Sequence, residues 1–489
     1  MIDALPERGV PAEQILAELG ELRAADLPTH GGRLFAYVYD PAVDGLDELA
    51  RAAYAGSAQV NGLDPTAFPS LLAMENALVA AAAKLLGGDA GTVGSVTGGG
   101  TESLILAVKA ARDAHPEIAR PRLVVPVTAH AAFAKAAHYL RVELDVVPVR
   151  DLRADPAAMA AAITADTVLV AASAPSYAHG VIDPIEPIAA LSAERGVRFH
   201  VDACFGGWVL PFLDPPPAFD LAVPGVTSIS VDLHKYGYAP KGVSLLLHRD
   251  EALRRPQYFA YAGWPGYTMV NPVISSTRSG GPIAAALATL RHLGRDGYRT
   301  LAARTHAAVA VLAAAVEATD GVRLYAPAET TVVCLASDGV DLFVLADELA
   351  TRGWHTQPQL AYRAAAGAWS SGRRGAPETV EIPPTIHLTV TAAVASTAAE
   401  FAPALADAVA AATARGPVDL PPGLLDAAGT LTPADVTPEL IGGLAEGLGL
   451  GTGGTGPMAA VNTLLNAAPP ELREALLTGF LSLLQRPAG

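Results

Sequence analysis

This 489-residue chain predicts an α/β fold with a mainly parallel sheet, and three features predict it. Short apolar runs rich in β-branched residues recur at 123–127, 142–147, 167–172, 197–201, 227–231 and 243–247. Helical stretches alternate with them, which places helices on both faces of a sheet. Residues able to do chemistry stand just after these runs, where open α/β sheets bind ligands.

The length exceeds one typical domain. Residues 1–55 form an N-terminal segment with helical character, and 56–295 hold the alternating elements as a large domain. Residues 296–415 carry an alanine-rich helix at 301–318 and strands at 331–335 and 385–390, the pattern of a small domain. The Gly/Ser/Arg-rich stretch 369–377 reads as a loop. The extension 416–489 contains a linker at 447–456 and an amphipathic helix at 471–484, expected to pack on the body.

Composition narrows the function. A net charge of −16 argues against binding nucleic acid or an anionic membrane surface. Cys204 and Cys334 lie far apart and have no metal-ligand spacing. They imply a reducing compartment, so a cytoplasmic location is expected. No run reaches about 18 consecutive apolar residues, so no membrane span is expected. The acidic N-terminus lacks a signal-peptide core.

Only five lysines occur, yet Lys235 and Lys241 stand six residues apart in the segment from Ser230 to Gly242. Arginine supplies almost all the other positive charge, but it stays protonated and forms no imine. A lysine does so once its neighbours lower its pKa. Lys235, following a β-branched run and His234, therefore predicts a Schiff base with pyridoxal 5′-phosphate (PLP). That cofactor asks for three further parts.

Its phosphate needs backbone N–H groups at a helix N-terminus. Val96-Thr97-Gly98-Gly99-Gly100-Thr101-Glu102 supplies them before a helix running to about Arg112, although a plain tight turn explains the glycines equally well. Its ring nitrogen needs a carboxylate, and Asp202 follows the run 197–201; a turn or helix-cap aspartate is the alternative. Its ring needs a flat partner, and His130 stands at a strand-to-helix junction, where capping is the alternative. Lys135 reads as a solvated helix residue. No structural role accounts for all four signals in this order.

The chain resembles the PLP-dependent group II decarboxylase superfamily, most closely its sphingosine-1-phosphate lyase branch. The resemblance rests on 97–107, 128–139, 173–175, 179–184, 200–207, 226–249 and 276–281, and covers roughly 33–300. It implies the fold type I architecture of PLP enzymes: a large domain with a mainly parallel seven-stranded sheet, plus a smaller α+β C-terminal domain. A homodimer with active sites at the subunit interface is also implied. The resemblance assigns Lys235 to the Schiff base, Asp202 to the ring nitrogen and His130 to stacking. Gly100, Thr101 and His234 would contact the phosphate, and Thr277 would reach the phosphate of the neighbouring subunit's cofactor. Lys241 matches a second catalytic lysine. Tyr39 matches a tyrosine near the substrate, with ordinary burial as its alternative.

Departures matter too. Gly98 replaces a family serine and Leu233 a family threonine. Asp64 stands where the lyases tend to have a histidine that engages the substrate's phosphate. A carboxylate there repels phosphate, which argues against a phosphorylated sphingoid base. Arg278 either binds a substrate carboxylate or serves the fold or an interface. The expected activity is PLP-dependent carbon–carbon lysis, cleaving the Cα–Cβ bond of a β-hydroxy amine to an aldehyde and an amine. Decarboxylation of an amino acid is the alternative, ahead of transamination or non-catalytic PLP binding. The eukaryotic lyases are membrane-anchored, and this chain is expected to be a soluble relative.

Overall fold

The structure, a computed structural model, describes residues 5–364, 380–420, 424, 430–447 and 457–486. The loop expected at 369–377 and most of the linker at 447–456 lie outside the described residues.

Seven strands form the main sheet: β1 (Val93–Thr97), β2 (Arg122–Pro126), β3 (Glu143–Val147), β4 (Thr167–Ser173), β5 (Arg198–Asp202), β6 (Ser228–Asp232) and β7 (Ser244–His248). Their order is β1-β7-β6-β5-β4-β2-β3. The pairs from β3 through β6 are parallel, and β7 runs antiparallel to both β6 and β1. The apolar runs located six of these strands to within a residue or two. Several ends moved outward because the last ladder residue is polar, as at Asp202 and Asp232. β1 escaped that search because Gly94 and Ser95 interrupt its apolar pattern. Gly94 is needed there: a Cβ would sit 2.6 Å from Leu247 Cδ2 and 2.8 Å from the Leu246 carbonyl.

The sheet's interior explains its stability. Val201, Ile229, Val231, Leu245 and Leu247 are fully buried. Each such side chain contributes about 1.5–3 kcal/mol. The register sets Ser173 level with Asp202, Asp202 with Ser230, and Asp232 with Ser244. Ser244 in turn faces Thr97 of β1. One sheet edge therefore collects the polar strand ends, and the site is built there.

A second apolar cluster surrounds a four-stranded antiparallel sheet: β8 (Arg323–Leu324), β9 (Val332–Ala336), β10 (Gln357–Gln359) and β11 (Thr385–Thr389), in the order β8-β9-β11-β10. The N-terminal segment joins this cluster, where Phe35 stacks on Trp354 at 5.7 Å and meets Phe401 edge-on. A helix at Gly281–Glu317 threads both cores, with Ile283, Leu290 and Leu301 in one and Val309, Leu312 and Val316 in the other. It bends at Gly294, where φ is 58°. By length and composition it could cross a bilayer, but its apolar face is spent on these two cores. It begins well before the expected 301 because Arg, Asp and Gly residues dilute its first half.

In the extension, the helix Pro470–Leu484 does form, but it packs on Pro438–Gly447 through a cluster of its own around Ile441, Leu472 and Leu476. The contact with the body comes from the helix Ala459–Ala467. Asp347 accepts hydrogen bonds from Met458 N and Ala459 N at the start of that helix.

Candidate active site

The edge of the main sheet opens into a cavity of about 760 Å³. Gly100, Thr101, His130, Asp202, His234, Lys235 and Lys241 all line it. These residues come from four separate strand ends and the connections that follow them, and the common level of the strand ends brings them together.

β1 ends in the glycine turn, and helix α1 (Gly100–Asp113) starts at once. The first N–H groups of a helix have no intrahelical acceptor and face outward as donors. A Cβ on Gly100 would lie 2.9 Å from Cys204 Sγ and 3.0 Å from both Asp232 carboxylate oxygens. Glycine alone lets the helix start so close to the sheet. Glu102 turns back to accept from Gly98 N and from Ile274 N.

His130 precedes helix α2 (Ala132–Leu140), and its Nδ1 accepts from Ala132 N at 3.1 Å. A turn hydrogen bond and a place in the cavity wall are thus combined in one residue. Asp202 behaves likewise: Oδ1 accepts from Cys204 N at 3.1 Å, while the residue lines the cavity.

Lys235 follows β6. Its Nζ stands 2.9 Å from Asp232 Oδ2, and Asp232 is fully buried. Burial pulls the lysine pKa down, but Asp232, Cys204 and Asp202 outweigh it, and the net shift is upward. The expected lowering is therefore not met in the cofactor-free chain, because a buried counter-ion stabilises the ammonium. Burial acts against Asp232, yet Lys235, His234 and the Ser244 hydroxyl at 2.6 Å bring its pKa below the usual value.

Lys241 differs. Desolvation and the nearby Lys235 cation lower its pKa to about 8, although the residue as a whole is exposed. Its Nζ donates to the His234 carbonyl and sits 4.7 Å above the Tyr39 ring. Tyr39 does not line the main cavity. It lines an adjoining 270 Å³ pocket with Lys241 and His234, and packs edge-on against Phe205 and Tyr236.

Thr277 is exposed and lines no part of the cavity. Arg278 points elsewhere. It pairs with Glu75 at 2.5 Å and donates to the Val96 carbonyl beside a neighbouring pocket that also holds Asp64. It lines that neighbouring pocket and not the main cavity. Asp64 is exposed and accepts from Thr66 and Ala67, contacts that lower its pKa and keep it anionic.

Some cavity residues were given no site role by the sequence reading. Asp232 stands three residues before Lys235, inside the segment that was singled out. Tyr177 lines the cavity and stacks on His387 of β11 at 4.6 Å, so the small sheet supports this wall. Lys135 is exposed as expected, yet its side chain lines the rim.

The residues fit PLP: a primary amine, a strand-end carboxylate, a flat ring and a glycine turn in which a Cβ at Gly100 would crowd Cys204 and Asp232. A model of the pyridoxal-dependent decarboxylase conserved domain matches residues 3–337. The chain belongs to that family. Its cofactor is PLP, its fold is type I, and it is a PLP-dependent lyase. A second model, a C-terminal helix-turn-helix domain of pyridoxal-dependent enzymes, matches 422–483. The chain is 38% identical over 361 residues to the sphingosine-1-phosphate lyase of Dictyostelium discoideum, covering 72% of this chain and 67% of that protein. Across the curated sphingosine-1-phosphate lyases the matches span about two thirds of the relatives' length, from 61% to 68%. A Methanocella arvoryzae protein named as a probable L-tyrosine/L-aspartate decarboxylase is 36% identical over 356 residues, covering 71% of this chain and 90% of that protein. Among solved structures, the sphingosine-1-phosphate lyase of Burkholderia pseudomallei superposes with a TM-score of 0.76 at 33% identity, covering 85% of this chain and 94% of that one.

Proposed function

We propose that this lyase cleaves the Cα–Cβ bond of a β-hydroxy amine, releasing an aldehyde and an amine. When bound, PLP withdraws electrons from whichever substrate Cα bond lies perpendicular to its ring. Lys235 would supply the amine that holds the cofactor, and Asp202 would supply a carboxylate for the ring nitrogen. His130 would offer its flat ring, and the N–H groups of the first turn of α1 would receive the phosphate.

Retro-aldol cleavage adds one demand that decarboxylation lacks: a base for the hydroxyl proton. Lys241 carries this reading. With a pKa of about 8, roughly one Lys241 in ten is neutral at pH 7. Its Nζ can then take the hydroxyl proton as the carbon–carbon bond breaks, within the useful range for general base catalysis.

Decarboxylation is the second reading, favoured by the Methanocella arvoryzae relative. It gains nothing from Arg278, which is tied to Glu75 outside the cavity. Among the described residues, the cations lining the cavity are Lys135, Lys235 and Lys241, apart from any charge on the histidines. Asp64, anionic as it stands, is unsuited to the phosphate-engaging role of the lyase histidine, which supports a substrate without that phosphate. A cytoplasmic homodimer, with Thr277 reaching the partner's cofactor, completes the proposal. The exposure of Thr277 and the family resemblance support the dimer, and the free cysteines support the location.

The test is product analysis with β-hydroxy amines, their phosphorylated forms and amino acids. Aldehyde release without CO2 is expected. CO2 from amino acids with no aldehyde from any β-hydroxy amine would replace this reading with the second.

A further inference from the structure

We infer that His200 and Ser230 are positioning residues that fix Asp202 through a one-way chain of buried hydrogen bonds and so set how firmly the cofactor's ring nitrogen keeps its proton. This rests on the reading that PLP seats its ring nitrogen against Asp202.

The chain begins on β6. Ser228 Oγ lies 2.9 Å from His200 Nδ1, and His200 Nε2 lies 3.2 Å from Ser230 Oγ. Ser230 Oγ lies 3.4 Å from Asp202 Oδ1. Parallel register creates these contacts, because His200 faces Ser228 and Asp202 faces Ser230 on the adjacent strands. Side chains two residues apart on one strand share a face, so all four groups lie in one row.

The direction of donation follows from valence. An ionised carboxylate only accepts, so the single Ser230 proton goes to Asp202. Ser230 must then accept from His200, which places the imidazole proton on Nε2. Nδ1 is left to accept from Ser228. Burial lowers the His200 pKa to about 3, so the ring is neutral and has one proton to give. Cys204 Sγ adds a second donor to Ser230 at 3.3 Å.

Every dipole in the row therefore points toward Asp202. His200 and Ser230 are 0% exposed, so water cannot substitute for either link. Oδ1 receives both Ser230 and Cys204 N. These two donors fix the carboxylate's orientation and support its negative charge in a nearly dry site. A well-held anion favours a proton on the facing ring nitrogen over a neutral pair.

The experiment reloads the protein with PLP labelled with 15N at the ring nitrogen. It reads that nitrogen's NMR shift without substrate, together with PLP affinity. Wild type should report a protonated ring. Ser230→Ala and His200→Leu should move the shift toward unprotonated pyridine and weaken PLP binding about tenfold, the scale of one net hydrogen bond. His200→Gln retains an N–H donor and should stay near wild type. A purely structural role would lower thermal stability without moving the 15N shift. If His200→Leu does not fold, Ser230→Ala decides alone, since it removes one buried oxygen. A wild-type shift in folded, loaded Ser230→Ala overturns the inference. Failure of wild type to bind PLP, or an unprotonated ring in wild type, instead removes the cofactor reading beneath it.

Discussion

Replacing Asp232 with Asn leaves the Lys235 ammonium without its counter-ion while keeping the side chain's shape. Nζ and Oδ2 are 2.9 Å apart, with side-chain exposures of 21% for Lys235 and 1% for Asp232. Coulomb's law at an effective dielectric of about 20 puts the attraction at about 6 kcal/mol. Desolvation offsets part of it, and breaking a buried pair costs about 3–5 kcal/mol in practice. Partial exposure of Lys235 places the expected loss near the lower figure, about 3 kcal/mol. Urea denaturation of the cofactor-free protein at pH 7 measures this as a midpoint shift at constant m-value.

Adding Lys235→Met to Asp232→Asn should recover about 2 kcal/mol, because the orphaned charge is gone. The pH window follows from the two directions of shift. Asp232, with a lowered pKa, contributes stability above the ordinary carboxylate range, lost as pH falls through its folded value. Lys235, with a raised pKa, contributes below the ordinary lysine value, lost as pH rises through its folded value. The difference between wild type and Asp232→Asn should therefore be flat from about pH 5 to pH 9 and shrink outside it. A loss below about 1 kcal/mol, or no recovery in the double variant, refutes a strong coupling between these residues.

Lys235→Ala should abolish the visible absorption that PLP acquires in the protein; an unchanged spectrum would defeat the lysine assignment. Asp202→Asn should retain PLP but lose turnover by about 100-fold or more, at the scale of one electrostatic catalytic group, as a steady-state assay would show. For wild type, kcat should rise with pH through about 8 as Lys241 loses its proton, and Lys241→Gln should lower kcat and flatten that limb of the pH–rate profile. Gly100→Ala puts a methyl group against Cys204 and Asp232 and should weaken PLP binding, measured by fluorescence titration, by about tenfold or more.

Much of the site was legible because it is assembled from strand ends. Lys235, Asp202 and His130 each follow a readable apolar run or junction, the glycine turn shows itself by its three consecutive glycines, and the sheet brings those ends to one level. Thr277, Tyr39 and Arg278 could not be placed in the same way. Their positions depend on how the N-terminal segment and the 271–281 connection pack, which has no periodic signature. Arg278 shows the limit plainly, since its partner Glu75 is about 200 residues away and no local pattern couples them. Asp232 was passed over for a different reason: as an acidic residue beside a strand end it resembles any turn aspartate until its distance to Lys235 is known.

The amino-acid order by itself determined the α/β class, six of the seven main strands and the chemical types available at their ends. Side-chain alternation and glycine placement are local properties, so they can be read locally. Only the tertiary structure decided the charge state of each lysine. Lys235 is held as a cation by a buried carboxylate, while Lys241, crowded by that cation and partly desolvated, has its pKa lowered to about 8. The two share a segment and a residue type, but a pKa responds to every charge and every desolvated surface nearby, and those neighbours come from the whole fold.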